Sequence, residues 1–165
     1  MARQFAAIFW LIAICPVAVA KEPAATQPVA NWGPAVEGVR AGLRVEKIVF
    51  ERRETPQFVA AIRNDGTLDL FVARTQMLCE IELDGKWHRW IGDVDAKSSP
   101  LGPGQAYDGI AISLEASWSP IEDGGRLKLE PGKHLLRVAF FPASLQRTVG
   151  QIKAVSNVVA FELAR

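Results

Sequence analysis

From Val39 onward, apolar residues fall at every second position, and this constrains the chain more than any other feature. Val39, Ala41, Leu43 and Val45 alternate with Arg40, Gly42, Arg44 and Glu46. Phe58, Ala60 and Ile62 repeat the pattern, as do Cys79, Ile81 and Leu83 against Glu80 and Glu82. Side chains on an extended backbone point to opposite sides in turn, so a period of two means strands with one buried side. Residues 68–72 and 110–114 read the same way, as do Leu136, Val138 and Phe140, with Ala139 and Phe141 on the other side. Val155, Val159, Phe161 and Leu163 mark a last strand, and Ile48 and Phe50 extend the first one after a kink.

Turn signals separate these runs. Asn64, Asp65 and Gly66 close the second strand, and Pro131 with Gly132 forms a type II turn signature. Residues 92–105 and 115–126 are rich in Gly and Pro and read as two long loops, and the polar stretch after Pro142 has room for a helical turn. No segment shows an amphipathic helical period. Eight or nine short strands with close turns mean a sandwich or a barrel. An all-β, immunoglobulin-like antiparallel β-sandwich of about seven to nine strands suits the length.

Asp84 and Gly85 lie between two alternating runs, a strong hairpin signal. A two-residue turn would pair Leu83 with Lys86 and Cys79 with Trp90. A three-residue loop with a bulge would pair Glu82 with Lys86 and Ile81 with Trp87. The second gives a cross-strand ion pair and is preferred, with Trp87 and Ile91 inward and Trp90 outward beside His88. In either case Trp87 and Trp90, an odd number apart, face opposite ways.

Ahead of the alternating region, Arg3 is followed by an apolar run from Phe5 to Ala20 that ends Ala18, Val19, Ala20. This is the pattern of a secretory signal peptide, with cleavage expected between Ala20 and Lys21. The run is shorter than the roughly 20 residues that span a bilayer, and Pro16 breaks it, so an anchor is the weaker reading. Residues 21–31 read as a flexible tether and 32–165 as the β-sandwich domain. The expected address is the periplasm or the extracellular space, with no membrane span after cleavage. Without Arg3 the acidic and basic residues balance. A neutral surface argues against a nucleic-acid partner, which needs clustered basic charge. With Cys15 expected to leave with the leader, Cys79 is left without a second cysteine, so packing rather than a disulfide must hold the domain together.

Three stretches carry a resemblance: Trp32, Gly33 and Pro34 followed by 37–43; 129–138; and Ser156, Asn157 and Val158 before the last strand. Over roughly residues 32–163 the chain resembles a group of uncharacterised bacterial exported modules with immunoglobulin-like sandwiches. The resemblance implies a fold and an extracytoplasmic address, and it carries no catalytic residues over.

Chemistry-bearing residues are sparse. The only histidines, His88 and His134, could join Cys79 as metal ligands, but the spacing matches no metal pattern, and both read as partly exposed polar positions. Cys79 alternates in phase with Ile81 and Leu83, which points it into the core, away from thiolate chemistry. No G-x-S-x-G, G-x-G-x-x-G or H-E-x-x-H pattern occurs. Asp93, Asp95, Asp108, Glu122 and Asp123 fit no calcium loop and read as solvated loop carboxylates. The expectation is therefore no catalytic residue, no metal and no cofactor. Trp90, Trp118 and Tyr107 stand as candidate contact residues of a non-enzymatic binding module, its partner a protein or glycan of the cell envelope. Two alternatives are a carbohydrate-binding module stacking sugars on coplanar tryptophans, and an enzyme in which Cys79, His88 and an acid converge.

Overall fold

The computed structural model describes residues 31–95, 97–115, 117–144 and 151–165. The leader and most of the tether expected for residues 1–31, and the helical turn expected after Pro142, lie outside the described residues.

The alternating runs become strands. β1 (Val39–Arg44), β3 (Gln57–Asn64) and β8 (Ala106–Ser113) form one antiparallel sheet in the order β1-β3-β8. Facing it is a sheet of β12 (Val159–Leu163), β10 (Gly132–Phe140), β5 (Glu80–Leu83) and β6 (Lys86–Trp90), in that order. Taken along the chain, the first, second and fifth sandwich strands make one layer and the third, fourth, sixth and seventh the other. That is the strand order of an immunoglobulin-like sandwich. β2 (Val49–Phe50) and β9 (Trp118–Pro120) extend the second sheet at its two ends, and β11 (Ala154–Val155) pairs with the far end of β10. β4 (Leu70–Ala73) and β7 (Ser98–Leu101) form a separate ribbon. Among the described residues the one helical element is a 3-10 turn, Gln76–Leu78, and none is long and apolar enough to cross a membrane.

The core is what the alternation specifies. Val39, Ala41 and Leu43, Phe58, Ala60 and Ile62, Ile110 and Ile112, Ile81 and Leu83, and Leu136, Val138 and Phe140 are all buried between the sheets. Each large side chain so placed contributes about 1.5–3 kcal/mol. Phe50, Phe58 and Phe161 meet at one end with ring centroids 5.1–6.0 Å apart.

Several expectations are corrected. Ile48 and Phe50 do not prolong β1: the chain crosses to the other sheet, where β2 runs parallel to β12 and Phe50 enters the aromatic cluster. Asn64 closes β3 in an Asx turn, as the sequence suggested, and does more than turn the chain. It is buried at the end of β3, its amide donating to Leu68 O (2.8 Å) and Leu101 O (2.9 Å) while its oxygen accepts from Gly66 N. The two breaker-rich loops each contain a strand, β7 and β9. Pro131 and Gly132 do not form a turn pair, because Gly132 already begins β10. The Asp84–Gly85 turn has two residues, not three. Leu83 pairs with Lys86 and Ile81 with His88, with φ of 52° at Asp84 and 84° at Gly85, the left-handed pair of a type I′ turn. This reverses the preferred hairpin reading: Trp90 turns toward the core, Trp87 turns out and His88 is buried.

Side chains and neighbouring backbone meet the outer strands of the two larger sheets at single points. Along β1, Asn157 behaves like a strand residue: its oxygen accepts from Leu43 N (2.8 Å) and its amide donates to Leu43 O (3.0 Å). Along β8, Ser113 N donates to Gln76 Oε1 and Ser113 O accepts from Trp118 Nε1. Along β9, Trp118 O accepts from Leu127 N. Beyond β2, the Glu54 carboxylate accepts from Glu51 N at 3.0 Å and pairs with Lys47 at 2.5 Å. That lysine holds the Glu54 carboxyl below its usual range. Contacts of this kind shorten the backbone template open to strand addition.

Candidate functional site

One open apolar surface among the described residues lies on the outer face of the second sheet. Alternation sends Leu136, Val138 and Phe140 of β10 inward, and therefore Lys133, Leu135 and Arg137 outward. On β12, Phe161 and Leu163 go in and Ala160 and Glu162 go out; on β2, Phe50 goes in and Val49 out. The register sets Leu135 opposite Ala160, and Lys133 opposite Glu162, which in turn faces Val49. Ala160 is the smallest of these side chains, so the sheet surface dips over it. The result is an open trough of about 380 Å³ lined by Ile48, Val49, Lys133, His134, Leu135, Ala160, Phe161 and Glu162. Ile48, Val49, Leu135 and Val158 keep 63%, 46%, 54% and 54% of their surface exposed. Leu135 also borders a second hollow with Gly85, Arg137 and Val158, so the apolar surface continues past it.

The hairpin turn fixes one end of this surface. Asp84 N donates to Leu135 O at 3.0 Å, and Asp84 Oδ1 accepts from Leu135 N at 2.8 Å. Asp84 Oδ2 lies 2.7 Å from His134 Nδ1, and Glu130 O lies 2.7 Å from His134 Nε2. Both partners accept, so a ring protonated at both nitrogens donates to both. The same ring lies against Phe161, centroids 5.2 Å apart.

The other half of this outer face, over β10, β5 and β6, is built differently. Glu82 accepts from Arg137 Nε and Nη2 at 3.0 and 2.6 Å, and Glu80 pairs with Lys153 at 2.7 Å. The Lys153 ammonium sits 3.7 Å from the Trp87 ring centroid, with Arg137 at 5.6 Å. Trp87 is thus roofed by cations that are themselves neutralised.

The candidate residues read from the sequence are placed elsewhere. Trp118 is in a strand, not a loop, and has no exposed surface; Trp90 meets it edge-on, 5.5 Å away at 89°. The two rings are therefore neither coplanar nor jointly exposed, as stacking on a sugar would require. Trp90 Nε1 is buried with no acceptor among the described residues. A Cβ on Gly92 would come within 2.8 Å of that nitrogen, so only glycine lets the chain pass. Tyr107 is half-buried; its hydroxyl donates to Pro100 O, tying β8 to β7, and Arg74 lies 4.4 Å over its ring.

Cys79 is buried as its phase implied, and its thiol donates to Thr75 O at 3.2 Å. Burial pushes that thiol's pKa up, away from nucleophilic use. His88, expected at a partly exposed position, is buried. Its Nδ1 lies 2.9 Å from Lys86 O, and burial holds its pKa below the usual 6.5. Among the described residues no three His, Cys, Asp or Glu side chains gather in a way that could hold a metal. Asp108 is not free loop charge; it pairs with Arg44 at 2.7 Å.

The trough residues were not picked out from the sequence, yet a signal exists. Val49 next to Phe50, Leu135 next to Leu136 and Val158 next to Val159 each break the alternation with an apolar pair. In a strand, one member of such a pair must face outward.

No family model matches the chain, and no curated protein does. Among solved structures it is similar to the CARDB domain of a Pyrococcus furiosus protein in complex with di-metal ions. The identity is 9% and the TM-score 0.43, over 79% of this chain and 98% of that one. It is also similar to a Pseudomonas fluorescens alkylpurine DNA glycosylase, AlkC, bound to DNA containing an abasic site analogue. There the identity is 15% and the TM-score 0.43, over 78% of this chain and 31% of the glycosylase. Neither likeness brings a residue role to this chain.

Proposed function

We propose that this chain is an exported, non-enzymatic binding module of the cell envelope or extracellular space that recognises protein through the outer face of β2, β12 and β10. The observation that carries this reading is the aliphatic trough around Ala160, open on the outer face of the sheet. Exposed aliphatic surface of this kind, rimmed by charge, marks interaction sites on folded domains. Its lining favours a protein over a glycan, because sugar stacking uses aromatic faces and the exposed walls here are Ile48, Val49 and Leu135. Export rests on the leader-like run ahead of Lys21.

The test is photo-crosslinking in living cells. A photoreactive residue at Leu135 should give discrete protein adducts in the envelope or medium fraction. One at Arg89, on the charged half of the same sheet, should give few. Equal adducts from both positions would overturn the assignment of the face. A chain recovered only from the cytoplasm with Met1 retained would overturn export.

A further inference from the structure

The two charged groups on the trough rim narrow what can sit there. Lys133 and Glu162 are cross-strand partners on the outer face, and both line the trough. Within the described residues neither has an ion-pair partner within 4.0 Å, whereas the neighbouring Glu80, Glu82, Arg137 and Lys153 are all paired. One cation and one anion thus stand side by side on the rim of a single apolar surface, next to the Leu135–Ala160 pair. A twofold axis through such a surface brings Lys133 of each copy to Glu162 of the other and sets Leu135 and Val49 against the facing hollows. Isologous contacts are self-complementary in this way. The chain's formal net charge of +1 gives no long-range repulsion between copies.

We propose that the trough's occupant is a second copy of this chain, in a twofold dimer with Lys133 of each copy paired to Glu162 of the other. The inference rests on the reading of this face as a protein-binding surface and names its partner.

Sedimentation equilibrium on the full chain, as its host produces it, tests the idea across micromolar concentrations. The wild type should show a concentration-dependent dimer, and Leu135→Glu should be monomeric throughout while still giving the wild-type circular dichroism spectrum. Lys133→Glu alone and Glu162→Lys alone should each weaken association by at least about tenfold, since like charges then face each other twice. An equimolar mixture of those two variants should recover wild-type dimerisation, because every facing pair is again opposite in sign. An ion pair within one chain could not produce that recovery. A wild type monomeric at every concentration, a dimer indifferent to Leu135→Glu, or a mixture no tighter than either variant would each sink the proposal. If the chain is monomeric but position 135 still crosslinks to another envelope protein, self-association fails and the broader reading stands. Monomer and no adducts together would remove both.

Discussion

The two halves of one sheet surface solve the same problem in opposite ways. Over β10, β5 and β6, the large aromatic Trp87 is covered by Lys153 and Arg137, whose charges are met by Glu80 and Glu82. Over β2, β12 and β10, Ile48, Val49, Leu135 and Val158 are left bare. Both halves share β10, so neither strand geometry nor burial of the inner face dictates the difference; the outward side chains do. A surface that evolves only for solubility resembles the first half. The second leaves aliphatic surface in contact with water, as interaction sites do.

The comparison can be pressed hardest by working on both sides of β12. Phe161→Ala, on its inner side, should cost about 3–5 kcal/mol in urea unfolding, because it opens a cavity in the aromatic cluster. Ala160→Leu, on its outer side, should stay within about 0.5 kcal/mol while filling the trough and weakening association. A large stability loss from Ala160→Leu would mean that the trough is core. On the charged half, Trp87→Ala should cost about 1–2 kcal/mol from lost packing and cation contacts. Leu135→Ala on the bare half should be close to neutral, and equal losses from the two would erase the distinction.

An acid-specific effect lies beneath the charged half. Burial lowers the pKa of His88 below 6.5, so the unfolded chain binds this proton more readily than the folded one. The associated stability is fully present above about pH 6.5 and is lost as pH falls from there through the lower folded value. His88→Leu should flatten the dependence of chemical stability on pH below about 6.5, and an unchanged slope would show that another group is responsible. The smallest effect is expected from Glu82→Gln, less than about 1 kcal/mol and fading in molar salt, since Arg137 is well exposed.

Much of the sandwich was legible because alternation is a local property. β1, β3, β5, β8, β10 and β12 follow from which residues sit two apart, and Cys79 was placed correctly by phase alone. The short strands β7 and β9 were not legible. Their Gly- and Pro-rich surroundings read as loop, and each exists only because a partner strand, β4 or β6, lies alongside. The candidate site was legible only as an irregularity, the apolar pairs at 49–50, 135–136 and 158–159. Tryptophan, the more conspicuous residue, drew attention to Trp90 and Trp118 instead, and the fold uses that pair largely as core.

By itself the sequence determined that the chain would be extended strands with one oily side, and that Trp87 and Trp90 would face apart. Those outcomes depend on side-chain order along the backbone and nothing more. Which tryptophan turned inward was settled by tertiary structure. The Asp84 turn hydrogen-bonds to Leu135, fifty-one residues away, and that contact belongs with a two-residue turn although the local signals favoured three. The bare face was decided in the same way: Ile48, Leu135 and Ala160 are far apart in the chain, and only the packing of β2 and β10 on either side of β12 brings them into one surface.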